Sequence, residues 1–158
     1  MIYKEKTVCF TGHRLIKENQ NILFSTVYNT VELLIKDGYL YFCTGGARGF
    51  DTLAAEVIIS LKEKYPNIQP ILILPFQNHY EQKKSWTNKE IEQLEKHKKI
   101  ASRVIHIQEA YGRGCYYKRD RQLVDASSIC ICYQYKNSGG TAYTVKYAKE
   151  HNITIINI

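Results

Sequence analysis

Short apolar runs alternate with longer amphipathic stretches from one end of the chain to the other. Thr7-Val8-Cys9-Phe10-Thr11 reads as a strand, since continuous apolar runs of this length suit parallel strands covered on both faces. From about Asn21 to Lys36 the apolar positions Leu23, Val27, Val31 and Leu34 recur at helical spacing. Tyr39 to Thr44 predicts a second strand. Leu53, Ala54, Val57, Ile58 and Leu61 then share one helix face, and that helix stops before Pro66. Ile71-Leu72-Ile73-Leu74 predicts a third strand, closed by Pro75.

A polar and aromatic connection runs from Phe76 to Trp86. Thr87-x-x-Glu90 has the form of a capping box, in which hydroxyl and carboxylate satisfy free amides at a helix start. The helix it opens runs to about Ala101. Arg103 to Ile107 predicts a fourth strand, Tyr117 to Val124 a short helix and Ser128 to Tyr133 a fifth strand. Thr141 to about Glu150 is the last helix and Ile153 to Ile156 a sixth strand. This alternation predicts an α/β fold: a doubly wound, mainly parallel sheet of about six strands, with helices on both faces and right-handed crossovers. No repeat, low-complexity segment or linker interrupts the pattern, so residues 1–158 read as one domain.

The length of 158 residues is enough for a proper core without staples. Hydrophobic residues at 44% and charged residues at 23% are ordinary globular values and exclude wholesale disorder, collagen and coiled coil. No apolar run approaches the roughly 18 residues of a membrane span. The charged opening Met1 to Lys6 leads straight into a strand, so no secretory leader is expected and the location is read as cytoplasmic. Of the five cysteines, Cys9, Cys43, Cys130 and Cys132 sit in apolar runs, which reads as small buried hydrophobes in a reducing compartment. Cys130-x-Cys132 lacks a second pair at metal-ligand spacing, so neither metal nor other cofactor is expected.

Charge and glycine placement carry the chemistry. Against 15 acidic residues stand 22 basic ones, a net charge of +7 that favours an anionic partner. Three glycine-containing turns follow predicted strands: Thr11-Gly12-His13-Arg14, Thr44-Gly45-Gly46-Ala47-Arg48-Gly49 and Ser138-Gly139-Gly140-Thr141. In a parallel sheet all strand carboxyl ends share one edge, and ligands bind there where strand order reverses. Glycine lets backbone approach a ligand closely, and the helix that follows offers free amides to a phosphate. Each turn alone is an ordinary strand-to-helix connection. Together, with Arg14, Arg48 and Thr141 beside the glycines, they predict a phosphate cradle.

No Gly-Lys-Ser/Thr is present and Gly12 lacks the spaced glycines of the dinucleotide fingerprint, which disfavours a P-loop enzyme or a nicotinamide dehydrogenase. Asp51 has two readings: an N-cap accepting from the amide of Leu53 or Ala54, or a carboxylate facing ribose hydroxyls. His13 either contacts phosphate as a cation or fills a turn. A second basic group, Arg113, Lys118, Arg119 and Arg121, is interleaved with Tyr111, Tyr116 and Tyr117; Arg119 is its expected ligand contact, against ion pairing with Asp120 and Asp125. The lysines between 83 and 99 alternate with glutamates and read as an exposed helix.

Gly12-His13-Arg14, Gly45-Gly46-Ala47-Arg48-Gly49-Phe50-Asp51, Arg119-Asp120-Arg121 and Ser138-Gly139-Gly140-Thr141-Ala142-Tyr143 resemble, in this order and over nearly the whole chain, the YpsA-like branch of the SLOG superfamily. The resemblance implies a Rossmann-like fold related to the LOG phosphoribohydrolases and the DNA-processing protein DprA. It also implies a pocket for a nucleotide-like ligand, with ADP-ribose or another NAD-derived molecule as the proposed class. The LOG turn is Pro-Gly-Gly-x-Gly-Thr followed by a catalytic glutamate; here Ser138 replaces the proline, Thr141 follows Gly140 directly, and Val145 and Lys146 occupy the region of that glutamate. Asp51 stands where some YpsA-like chains have glutamate.

The expected function is therefore binding or sensing of a phosphorylated nucleoside derivative by Gly12, Gly45, Gly46, Gly49, Ser138, Gly139, Gly140 and Thr141, with His13, Arg14, Arg48, Arg119 and Asp51 around it. One alternative is an N-glycosidase, for which Asp51 is the best catalytic candidate and Glu56 a more remote one. Another is DprA-like single-stranded DNA binding, placed behind the nucleotide reading because the turns do not require it. Membrane is not an expected partner. Pairing into a homo-oligomer is open.

Overall fold

The computed structural model describes residues 3–158; Met1 and Ile2 of the charged opening segment lie outside them. A 3-10 turn at Lys4–Lys6 leads into β1 (Thr7–Gly12), followed by α1 (Gln20–Lys36), β2 (Tyr41–Thr44), α2 (Phe50–Lys64) and β3 (Gln69–Leu74). A second 3-10 turn, His79–Gln82, precedes α3 (Asn88–Ile100) and β4 (Arg103–His106). The chain ends through α4 (Cys115–Asp125), β5 (Ile129–Tyr133), α5 (Gly140–Glu150) and β6 (Thr154–Asn157). All strand pairs are parallel and the sheet order is β4-β3-β2-β1-β5-β6. This is the expected α/β, doubly wound, Rossmann-like arrangement.

The alternation of side chains along the strands divides the core in two. Val8, Phe10, Phe42, Ile129 and Ile131 face Val27 and Val31 of α1 and Val57, Ile58 and Leu61 of α2. On the opposite face Cys9, Cys43, Cys130, Ile71 and Ile73 meet Leu123 and Val124 of α4 and Ala148 of α5. Helices thus cover both faces, which is why the strands read as continuous apolar runs. Cys43, Cys9 and Cys130 are in register across β2, β1 and β5. Burial raises the Cys43 thiol far above its ordinary range, and a hydrogen bond to Cys9 together with burial raises Cys130. The Cys43 and Cys130 thiols stay protonated, and all three side chains pack as small apolar groups.

Caps set the helix starts. Asn19 Oδ1 accepts from the amides of Asn21 (2.9 Å) and Ile22 (3.2 Å), opening α1. At α3 both halves of the capping box form, Thr87 N to Glu90 Oε1 at 2.8 Å and Glu90 N to Thr87 Oγ1 at 3.1 Å. Lys83 and Lys84 precede that helix rather than decorating it. No helix among the described residues is long and apolar enough to cross a membrane.

Candidate functional site

From β1 the chain moves to β2 on one side, while β5 lies on the other, so strand order reverses between β1 and β5. Gly12, the last residue of β1, is in register with Tyr133, the last of β5. A cleft of about 510 Å³ opens above this point. Gly12, His13 and Arg14 line it from β1, and Lys136, Ser138 and Gly139 from the β5–α5 connection. Gly140 and Thr141 close it at the start of α5; Arg119 and Asp120 reach it from α4, and Asp51 from α2. Gly139 is the N-cap of α5 and brings no side chain to its amides. The first-turn amides of α5, without intrahelical partners, therefore stand at the cleft with the positive end of the helix dipole behind them.

The second glycine turn is organised differently. Asp51 lies inside the first turn of α2, whose N-cap is Gly49, so it does not cap Leu53 or Ala54 as one of its two readings required. Its Oδ2 instead accepts backward, from the amides of Gly45 (3.1 Å) and Ala47 (3.3 Å). A carboxylate of the chain itself fills that amide nest. The N-terminus of α2 is also occupied, with Phe50 N donating to His13 O at 3.2 Å. Gly45 and Gly46 are buried beneath the turn, and Gly49 faces a separate groove between α1, α2 and α3.

Arg119 ties the turns together. It is 7% exposed; its Nε donates to Asp120 Oδ1 at 2.8 Å and its NH1 to the carbonyl of Gly45. Two carboxylates, Asp51 and Asp120, share this one guanidinium. Much of the Arg119 charge is thus balanced within the protein. Arg48 is similarly committed, donating to Ser85 O and Oγ at 3.0 Å each, with Glu90 at 3.8 Å. It latches the segment before α3 onto the second turn. His13 Nε2 accepts from Lys136 N at 3.1 Å. Burial, with Lys136 and Lys17 nearby, lowers its pKa, so His13 lines the cleft as a neutral ring that joins its two outer loops.

Three cations at the cleft are solvent-exposed, Arg14, Lys83 and Lys136. Lys83, read from the sequence as part of an exposed helix, and Lys136 were not among the expected contacts, and neither were His79 and Trp86; these two rings, with Tyr116 of the second basic group, line a side chamber of about 190 Å³ shared with Gly12, Arg14 and Arg119. For His79 and Trp86 the local signal was the aromatic run between Phe76 and Trp86. Among the described residues, no group of three or more His, Cys, Asp or Glu side chains could hold a metal ion.

Two buried groups titrate in opposite directions. Burial, against the opposing pull of Arg119, pushes Asp51 up from 3.8 to about 6, and Asp120 adds to the rise. Burial pushes His79 down from 6.5 to about 4, with Arg119, Lys98 and His106 acting the same way and its bond to Gly46 opposing. Between pH 4 and 6 native Asp51 keeps a proton that the unfolded chain has released, so its contribution falls as pH rises. Native His79 lacks a proton that the unfolded chain holds, so its contribution rises with pH over nearly the same window. Each amounts to about 3 kcal/mol and they largely cancel. Urea unfolding of Asp51→Asn is expected to show stability climbing between pH 4 and 6.5 more steeply than in the wild type; a parallel profile would contradict the assignment.

Comparison with known proteins follows the same lines. A family model described as the YspA SLOG family matches residues 3–157. The chain is 27% identical over 131 residues to the SPbeta prophage-derived protein YoqJ of Bacillus subtilis strain 168, covering 75% of each. It is 22% identical over 147 residues to a UPF0398 protein of Lysinibacillus sphaericus, covering 87% of this chain and 79% of that protein. UPF0398 protein YpsA of Bacillus subtilis is 28% identical over 98 residues, 57% of this chain and 53% of YpsA. Among solved structures, DprA of Streptococcus pneumoniae superposes with a TM-score of 0.65 at 16% identity. DprA of Helicobacter pylori, described in its single-stranded DNA binding mode, gives 0.68 at 15%. Both cover 98% of this chain, which spans 50% and 65% of those chains respectively, and this likeness shows the fold. With the match running from residue 3 to 157, the chain belongs to the YspA SLOG family.

Proposed function

We propose that the chain binds a phosphorylated nucleoside derivative, ADP-ribose or another NAD-derived nucleotide, in the cleft between β1 and β5. The observation that carries this reading is the uncapped N-terminus of α5, Gly139-Gly140-Thr141, opening onto the same 510 Å³ cleft as Gly12 and the exposed cations Arg14, Lys83 and Lys136. A phosphate there accepts from the α5 amides and meets the helix dipole. The cations supply charge around the same cleft. Arg119, Asp51 and Asp120 act from below by holding the second glycine turn in shape. That role, rather than attack on a glycosidic bond, suits a carboxylate already engaged with two amides.

The experiment is a thermal-shift panel of ADP-ribose, ADP, AMP and inorganic phosphate, run beside a single-stranded DNA oligomer. At a hundredfold excess over Kd, binding adds about 2.7 kcal/mol, or roughly 5–10 °C in melting temperature for a chain of this size. ADP-ribose is expected to give the largest rise. No rise with any of the four at millimolar concentration would contradict the proposal. A rise only with single-stranded DNA, steeply weakened by salt, would favour the nucleic-acid alternative, in keeping with the DprA likeness.

A further inference from the structure

His79 is 3% exposed and sits in the wall of the side chamber. Its Nε2 lies 2.8 Å from the carbonyl of Gly46, an acceptor, so Nε2 carries the hydrogen and Nδ1 presents a lone pair. Burial keeps the ring neutral at pH 7. Among the described residues, Nδ1 of His79 is the buried side-chain nitrogen or oxygen without a hydrogen-bond partner. Leaving a buried acceptor unmatched costs about 1–3 kcal/mol. The interior near it is otherwise aromatic: Trp86 meets the ring edge-on at 5.5 Å and Phe76 edge-on at 6.3 Å. Tyr116 lines the same chamber.

No carboxylate lines this chamber, and it opens through Gly12, Arg14 and Lys83 into the phosphate cleft. Its volume of about 190 Å³ suits a single ring system rather than a whole nucleotide. Flat aromatic walls, a buried acceptor and an opening toward phosphate-binding groups describe a receptor for a flat, amine-bearing heterocycle whose phosphates lie outside. Trp86 forms the chamber wall beside His79. It meets the His79 ring edge-on, and the Arg48 guanidinium of the second turn lies 5.5 Å from its ring centroid.

We propose that the chamber is the base subsite of the cleft: a flat nitrogen heterocycle stacks against Trp86 and donates an exocyclic N–H to Nδ1 of His79. The ligand class narrows accordingly to amino-bearing bases, adenine foremost, joined to phosphate. The inference rests on the nucleotide reading given under Proposed function. His79 acts as a specificity-determining residue, since a base without the amine would leave Nδ1 unpaired in the complex as well.

The test compares ADP-ribose with its analogue carrying unsubstituted purine in place of adenine, both added to the full chain. Trp86 is the chain's single tryptophan, so its fluorescence reports stacking directly. Both ligands are expected to quench it, with ADP-ribose bound about tenfold more tightly. The 15N resonance of His79 Nδ1 is expected to shift with ADP-ribose and to stay unmoved with the analogue. Equal affinities, or an unmoved Nδ1 resonance in the ADP-ribose complex, overturn the base subsite while nucleotide binding stands. Binding of neither ligand overturns both.

Discussion

Replacing Arg119 with methionine is expected to cost about 3–5 kcal/mol of folding stability at pH 7, because it leaves buried carboxylates without their counter-charge. Asp51 and Asp120 are 6% and 9% exposed, and Arg119 is the guanidinium that both face. The same side chain also satisfies the Gly45 carbonyl, so the loss includes a buried acceptor. Methionine restores most of the volume and none of the charge. The deficit should shrink as pH falls toward about 6: without Arg119 the Asp51 carboxyl is raised further and takes up its proton before the wild type does, so its uncompensated charge disappears. Urea unfolding at pH 7 and pH 5 measures both quantities. A loss under about 1 kcal/mol, the scale of a surface ion pair, would mean that the cluster does not hold the turn.

The second large effect is expected at Gly49. Its φ is 77°, and a Cβ built there would lie 2.1 Å from the carbonyl oxygen of Arg14 and 2.5 Å from its Cα. Both obstacles are backbone, so no side-chain rotation relieves them. Gly49→Ala combines left-handed strain of about 1–3 kcal/mol with a forced separation of similar cost, about 4 kcal/mol together. Gly114→Ala is the internal comparison: its φ is 79°, but nothing lies within 4 Å of the added carbon, so only the strain remains. Chemical denaturation of both variants measures what the close approach of the first and second turns, together with the more demanding ψ of −117° at Gly49 against 6° at Gly114, adds to the shared strain. Equal losses at the two positions would remove that approach from the account.

The sheet and its two helical layers were legible because the inner strands β1, β2, β3 and β5 are buried on both faces and carry mainly apolar runs. The capping box at Thr87 and Glu90 was legible for a related reason: donor, acceptor and spacing are local. The interior of the second turn was not. Gly49-Phe50-Asp51 reads equally well as a helix beginning after aspartate or before phenylalanine, and only the positive φ of Gly49 decides it. The bond from Arg48 to Ser85 was not legible, because that partner lies 37 residues away on another connection. His79 and Lys83 were hidden in an irregular segment without periodicity, where position is set by packing of Trp86 and Phe76 rather than by spacing. Convergence of the first and third turns was readable from topology alone, since parallel strands place their carboxyl ends on one edge.

The central claim is that backbone amides at the start of α5 receive a phosphate opposite Gly12. Titrating 15N-labelled protein with ADP-ribose and following individual amide resonances tests it most directly. The account predicts saturable shifts centred on Gly139, Gly140 and Thr141 and extending to Gly12, with the amides of Gly45 and Ala47 moving little because Asp51 already holds them. Shifts confined to the groove between α1, α2 and α3, or no saturable shift at Gly140 and Thr141, would contradict it.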